Sequence, residues 1–107
     1  MLFKKNYSAI SPREAKEMMS ADKNAVLIDV REKDEYRYGH IAGSANIPVG
    51  GITQSKSKLP SDKETAIIAY CLSGMRSRTA CKMLGDLGYI NLYNLGGINS
   101  WPYGIVK

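Results

Sequence analysis

Two stretches of the chain, A-V-L-I-D-V at 25–30 and T-A-I-I-A-Y-C at 65–71, are apolar runs in which polar residues do not alternate with apolar ones. A strand with one face in water alternates, whereas a run that is apolar on both faces has to be covered on both. The two runs are therefore read as buried parallel strands, and only an α/β sheet flanked by helices provides for them. Each run carries a polar group at its carboxyl end, Asp29 in the first and Cys71 in the second. Ligands of open α/β sheets bind outside the carboxyl ends of the strands, so both residues are placed at one rim of the sheet.

The punctuation between the runs supplies the helices. S-P-R-E at 11–14 gives an N-cap at Ser11, a proline at the first helical position and a glutamate placed to complete a capping box; Ala15, Met18 and Met19 form the apolar face, and the helix is expected to stop near Ser20. R-E-K-D-E-Y-R-Y-G reads as a short helix closed by Gly39, and S-A-N-I-P-V as a short extended segment limited by Pro48. Residues 52–59 are weakly helical and 60–63 a turn. From Arg76 to Leu87, the spacing of Ala80, Leu84 and Leu87, with Cys81 and Met83 alongside, predicts a helix packed on the sheet and stopped at Gly88. Y-I-N-L-Y-N-L at 89–95 predicts a third strand, followed by a short terminal helix opening at Gly96, Gly97 and Trp101. No repeat, low-complexity tract or long linker divides the chain, so residues 1–107 are read as one domain.

Composition narrows the class. The formal charge of +5 is dispersed from Lys4 to Lys107 without an aromatic-interleaved stripe, which disfavours nucleic acid and leaves a small anionic substrate or solubility as its use. No apolar run reaches the roughly 20 residues that cross a bilayer. The N-terminal M-L-F-K-K-N-Y-S is not followed by the apolar segment of an export signal. Two cysteines, ten residues apart, match neither a disulfide framework nor a zinc pattern, and are read as reduced thiols of a cytoplasmic protein. No metal and no cofactor is expected.

Between Cys71 and the next helix stand only Leu72, Ser73, Gly74 and Met75. So short a loop must curl, Gly74 is free to take a positive φ, and the curl turns amide N–H groups inward toward an anion. The positive end of the following helix adds to that cradle. A thiol at its base, with Arg76 beside it, has its pKa lowered from about 8.5 into the range of roughly 3.5–7.5, so a nucleophilic thiolate is abundant at neutral pH without a histidine base. Cys71 is the expected nucleophile, Leu72, Ser73, Gly74, Met75 and Arg76 the expected substrate cradle, and Asp29 and Ser77 supporting residues. Asp29 and Arg31, alternating across a strand end, are expected to face different ways, one bracing the loop and the other pairing with Glu35 or another carboxylate. The expectation requires that Cys71 be open to solvent and that the peptide N–H groups after it point inward.

Four blocks together, D-V-R-E, G-H-I-x-G-x-x-N-I-P, C-x-x-G-x-R-S and G-G-x-x-x-W, resemble a single-domain rhodanese over residues 8–103. The resemblance implies a three-layer fold with a five-stranded, mainly parallel sheet, including an N-terminal strand near Ala9. It also implies a sulfurtransferase activity in which Cys71 takes a sulfane sulfur from thiosulfate, a persulfide or a polysulfide and passes it to a thiol or cyanide. Tandem-domain thiosulfate enzymes of the family tend to carry an arginine near the position of Glu35; a carboxylate there disfavours thiosulfate. A rhodanese module serving as a sulfur carrier or protein-interaction domain, with a partner protein as acceptor, is a second reading. A cysteine phosphatase or arsenate reductase is a third, opposed by a loop one residue shorter than that of the related phosphatases and by the lack of a carboxylate to protonate a leaving oxygen. Cys81 is read as small core filler, His40 as satisfying backbone groups where helix gives way to strand, and Trp101 with Tyr89, Tyr93 and Tyr103 as packing.

Overall fold

A computed structural model describes residues 6–107. The lysines at positions 4 and 5, and with them the reading of the N-terminal stretch as lacking an export signal, lie outside the described residues. One parallel sheet holds five strands, β1 (Tyr7–Ala9), β2 (Val26–Asp29), β3 (Ala45–Asn46), β4 (Ile67–Cys71) and β5 (Leu92–Gly97), in the order β1-β5-β4-β2-β3. The two apolar runs are adjacent strands, β2 and β4, with Asp29 opposite Tyr70. Every residue of β4 is buried, as its central place in the sheet requires.

Three helices connect the strands: α1 (Pro12–Ala21), α2 (Lys33–Tyr38) and α3 (Met75–Asp86). The α1 start is the expected capping box, with the Glu14 amide donating to Ser11 Oγ at 3.1 Å and the Ser11 amide to Glu14 Oε1 at 2.9 Å. Residues Thr53–Lys58 form 3-10 turns. Side chains of β4 alternate between two cores. Ile67, Ala69 and Cys71 join Ala80, Cys81 and Leu84 of α3, while Ile68 and Tyr70 join Ala15 of α1, Ile41 and Leu95. Cys71 thus belongs to the α3 face, directly below the loop that leads into that helix.

The end of the chain departs from expectation. The third strand starts at Leu92 rather than Tyr89 and runs through Gly97, so both glycines pair with β4, Gly96 opposite Tyr70 and Gly97 opposite Cys71. Tyr89 instead completes the exit of α3, its amide donating to the Leu84 carbonyl at 3.1 Å and its hydroxyl to the Pro60 carbonyl. The terminal helix shrinks to one 3-10 turn at Ile98–Ser100. Register between β4 and β5 slips by one residue at Leu95, a bulge that re-aims Asn94. Among the described residues no helix is long and apolar enough to cross a membrane.

Candidate active site

Cys71 ends the central strand, and the chain reverses over it in four residues. Gly74 sits at φ +110°, where a side chain would be strained, and caps α3. That conformation turns the Gly74 amide back onto the sulfur, to which it donates at 2.9 Å. The thiol donates in turn to Ser77 Oγ at 3.5 Å. Burial pushes the Cys71 thiol up, but the Ser77 hydroxyl and the amides of Ser77, Gly74 and Ser73 outweigh it, and the net direction is down. The inward-facing N–H groups of the sequence reading are therefore present, supplied by the loop and the first turn of α3.

The expected openness is not. Cys71 is only 1% exposed, because its Cβ and Sγ complete the core against α3 and the loop closes above them. Leu72 and Met75 of the same loop, by contrast, are 41% and 69% exposed.

Arg76 also differs from expectation. Its guanidinium is gripped by Glu35, with Nη1 donating to Oε2 at 2.6 Å and Nη2 to Oε1 at 2.9 Å, so both ends of the fork are engaged by a carboxylate. The Arg76 hydrogen bond leads in lowering the Glu35 pKa to about 2, and Glu35 leads in raising that of Arg76, to which the Cys71 charge also contributes. Glu35 further accepts from the Glu32 amide at 2.8 Å and so caps α2. Asp29 and Arg31 do not face different ways. Asp29 is fully buried, and the Arg31 side chain folds back on it, with Nη2 2.7 Å from Oδ2, then donates to the Gly39 carbonyl at 2.7 Å. A buried carboxylate must be paired and hydrogen-bonded, and Arg31 supplies that pairing.

Two contributors escaped the sequence reading. Asn94 Oδ1 accepts from Ser77 Oγ at 2.7 Å and from the Gly96 amide at 2.9 Å, so the β5 bulge orients the residue that touches the sulfur. Gly97 lies under the loop: a Cβ there would overlap the Leu72 carbonyl oxygen and stand 2.9 Å from Ser73 Cα. In the sequence the glycine pair reads as a helix start and as part of the G-G-x-x-x-W block, not as a floor for the loop. Its signal was the doubled glycine itself, since close backbone approach is one of the few reasons for it.

Cys81 and His40 fall where expected. Cys81 is buried and its thiol pushed up to about 12 by burial. His40 Nδ1 lies 2.9 Å from the Tyr36 carbonyl, and the ring stacks on Tyr36 at 3.7 Å. Among the described residues no cluster of His, Cys, Asp or Glu could hold a metal ion. A cleft of about 620 Å³, lined by Asp22, Asn24, Lys58 and Asp62 among others, includes no residue of the Cys71 loop.

The family model described as rhodanese-like domain matches residues 11–102. The chain belongs to that family. It is 31% identical over 96 residues to a Coxiella burnetii protein named thiosulfate sulfurtransferase GlpE, covering 89% of this chain and 87% of that one. A mitochondrial protein of Schizosaccharomyces pombe is 42% identical in a 94-position alignment that covers 77% of this chain and 64% of that protein. The crystal structure of a rhodanese-related protein from Thermoplasma volcanium superposes with a TM-score of 0.77 at 32% identity, covering 94% of this chain and 98% of that one. The rhodanese fold expected from the four sequence blocks is thus the fold observed.

Proposed function

We propose that the protein is a sulfurtransferase that carries sulfane sulfur as a persulfide on Cys71. The observation that supports this most directly is the 2.9 Å bond from the Gly74 amide to a sulfur held ionisable despite burial. A thiolate so placed attacks the outer sulfur of a donor: a new S–S bond forms to Cys71, the donor's S–S bond breaks, and the leaving group departs with the electron pair. With thiosulfate the leaving group is sulfite; with an organic persulfide it is a thiolate. The loop amides stabilise the charge on the terminal sulfur after transfer. A thiol or cyanide then removes that sulfur and regenerates the thiolate. Cys71 is buried, against the openness that the sequence reading requires, so sulfur transfer depends instead on the inward Gly74 amide and on a donor end slender enough to reach a sunken sulfur, which a terminal sulfur is.

A sulfur carrier that hands its load to a partner protein uses the same first half-reaction. The exposed Leu72 and Met75 favour that partner reading, since they offer apolar contact beside the sulfur. Mass spectrometry after incubation with a donor is expected to show one added sulfur on Cys71 and none in Cys71→Ser, with an unchanged circular dichroism spectrum. Sulfite release from thiosulfate by the serine variant would refute the assignment. Turnover with cyanide separates an enzyme from a carrier that needs its partner.

A further inference from the structure

The charges around the cradle are paired in a way that bears on the donor. Arg31 is committed to the buried Asp29, and Arg76 to Glu35. Glu32 acts on Arg76 as well, and Arg76 is within electrostatic reach of the Cys71 sulfur. The charges that act on Arg76 are those of Glu35, Cys71 and Glu32, all negative. Glu35, with its pKa near 2, stays ionised wherever the protein is folded at ordinary pH. Of the loop residues between Cys71 and Arg76, none is charged, and Leu72 and Met75 are exposed. The Arg76 fork is already held by Glu35 and so is not free for the oxygens of a sulfonate, while a carbon chain has two exposed apolar side chains in the loop to meet.

We infer that Glu35, by holding Arg76, is a specificity-determining residue that makes the site select sulfane-sulfur donors of low charge, organic persulfides and polysulfides, over the thiosulfate dianion. This rests on the sulfur-uptake reading above. For a persulfide, the Cys71 thiolate forms a bond to the outer sulfur of R–S–SH, R–S⁻ leaves with the electron pair, and the proton stays on the transferred sulfur. No net oxidation or reduction occurs. The opposing influence is the whole molecule's charge of +5, which draws any anion from a distance. The two act with opposite signs toward salt: screening weakens long-range attraction and slows thiosulfate, whereas screening of local repulsion speeds it.

The test is the second-order rate constant for gain of one sulfur on Cys71, read by mass spectrometry, for thiosulfate and for 2-hydroxyethyl persulfide. It compares the unaltered protein, Glu35→Gln and Glu35→Gln/Arg76→Gln between about 20 and about 200 mM salt. Glutamine keeps an oxygen to accept from the Glu32 amide, so the α2 cap is retained. In the unaltered protein the persulfide is expected to load about tenfold faster or more, and the thiosulfate rate to rise with salt. Glu35→Gln is expected to raise the thiosulfate rate about tenfold at low salt, with less than about a threefold change for the persulfide, as one freed cation implies at surface dielectric. The second substitution, at Arg76, is expected to abolish that gain, which a merely structural effect of Glu35 would not do. A thiosulfate rate that falls with salt in the unaltered protein, or a donor ratio unmoved by Glu35→Gln, overturns the inference alone. Failure of both donors to load Cys71 overturns the sulfur-uptake reading and the inference with it.

Discussion

Ser77 has one hydroxyl proton and three acceptors within reach: Asn94 Oδ1 at 2.7 Å, the Gly74 carbonyl at 3.1 Å and the Cys71 sulfur at 3.5 Å. While Cys71 is a neutral thiol, its S–H points at Ser77 Oγ and the hydroxyl proton rests on Asn94. Once the sulfur is ionised, the same proton serves it better, and Asn94 competes for it. Because the net shift of Cys71 is downward, sulfur loading is expected to persist below the usual thiol range and to fall as pH drops through the lowered value. Ser77→Ala removes the side-chain contribution and is expected to move that midpoint up. Asn94→Ala frees the hydroxyl for the sulfur and is expected to move it down, but only while Ser77 is present; the double variant should match Ser77→Ala. Thiolate absorbance against pH reads all three, and Cys81, pushed up to about 12, does not interfere below that pH. Ser77 was legible in the sequence because it sits in the loop block itself. Asn94 was not, since it reaches Ser77 only after β5 has paired with β4 and slipped its register.

At the scale of elements, the loop and the end of β5 form one unit. Gly97→Ala inserts a methyl where the Leu72 carbonyl and Ser73 Cα already stand, and backbone cannot yield as a flexible side chain can. The expected result is a loop lifted off the sheet, a Gly74 amide drawn away from the sulfur, and a loss of about 1–3 kcal/mol in stability. Urea unfolding measures the second effect; a sulfur-loading rate reduced beyond what unfolding accounts for measures the first. The α1 start was fully legible, because a capping box is local chemistry among Ser11, Pro12 and Glu14. The α3 boundaries were legible to within a residue from the spacing of Ala80, Leu84 and Leu87 and the stop at Gly88. The β5 boundaries were not: the apolar Y-I-N-L-Y-N-L run fits a strand from its first residue, yet Tyr89 is more strongly held by the exit of α3 and by Pro60 than by any strand partner. Likewise, strand alternation sent Asp29 and Arg31 to opposite sides, whereas a long, flexible arginine returns to a buried carboxylate whichever way its Cα faces.

Over the whole molecule, a line of polar contacts joins the sheet centre to the site. Asp29 holds Arg31, Arg31 holds the Gly39 carbonyl at the end of α2, α2 presents Glu35, and Glu35 holds Arg76 at the end of the loop. Arg31→Ala strips the cation from a carboxylate that is fully buried and is expected to cost about 3–5 kcal/mol, read as a lowered urea midpoint. The Glu35–Arg76 link carries its own pH signature. Its folded pKa is depressed to about 2, so the stability it contributes is complete above the ordinary carboxyl range and is lost as pH falls toward that value. Acid titration of folding is expected to flatten in Glu35→Gln over that window. The adjacency of Asp29 and Cys71 at one rim followed from two apolar runs and the rule for parallel sheets; the route between them depends on α2 being seated, and seating is a property of the assembled chain.

The glycine floor beneath the loop also limits what the scaffold could be remade to do. With backbone already touching backbone on the sheet side, an extra residue spliced between Cys71 and Arg76 has nowhere to go but outward. A larger ring would rise like a blister and carry its nitrogens off the sulfur rather than widen around a bulkier oxyanion. Converting this chain to phosphate chemistry would therefore begin with re-laying the last strand, and only then with lengthening the loop.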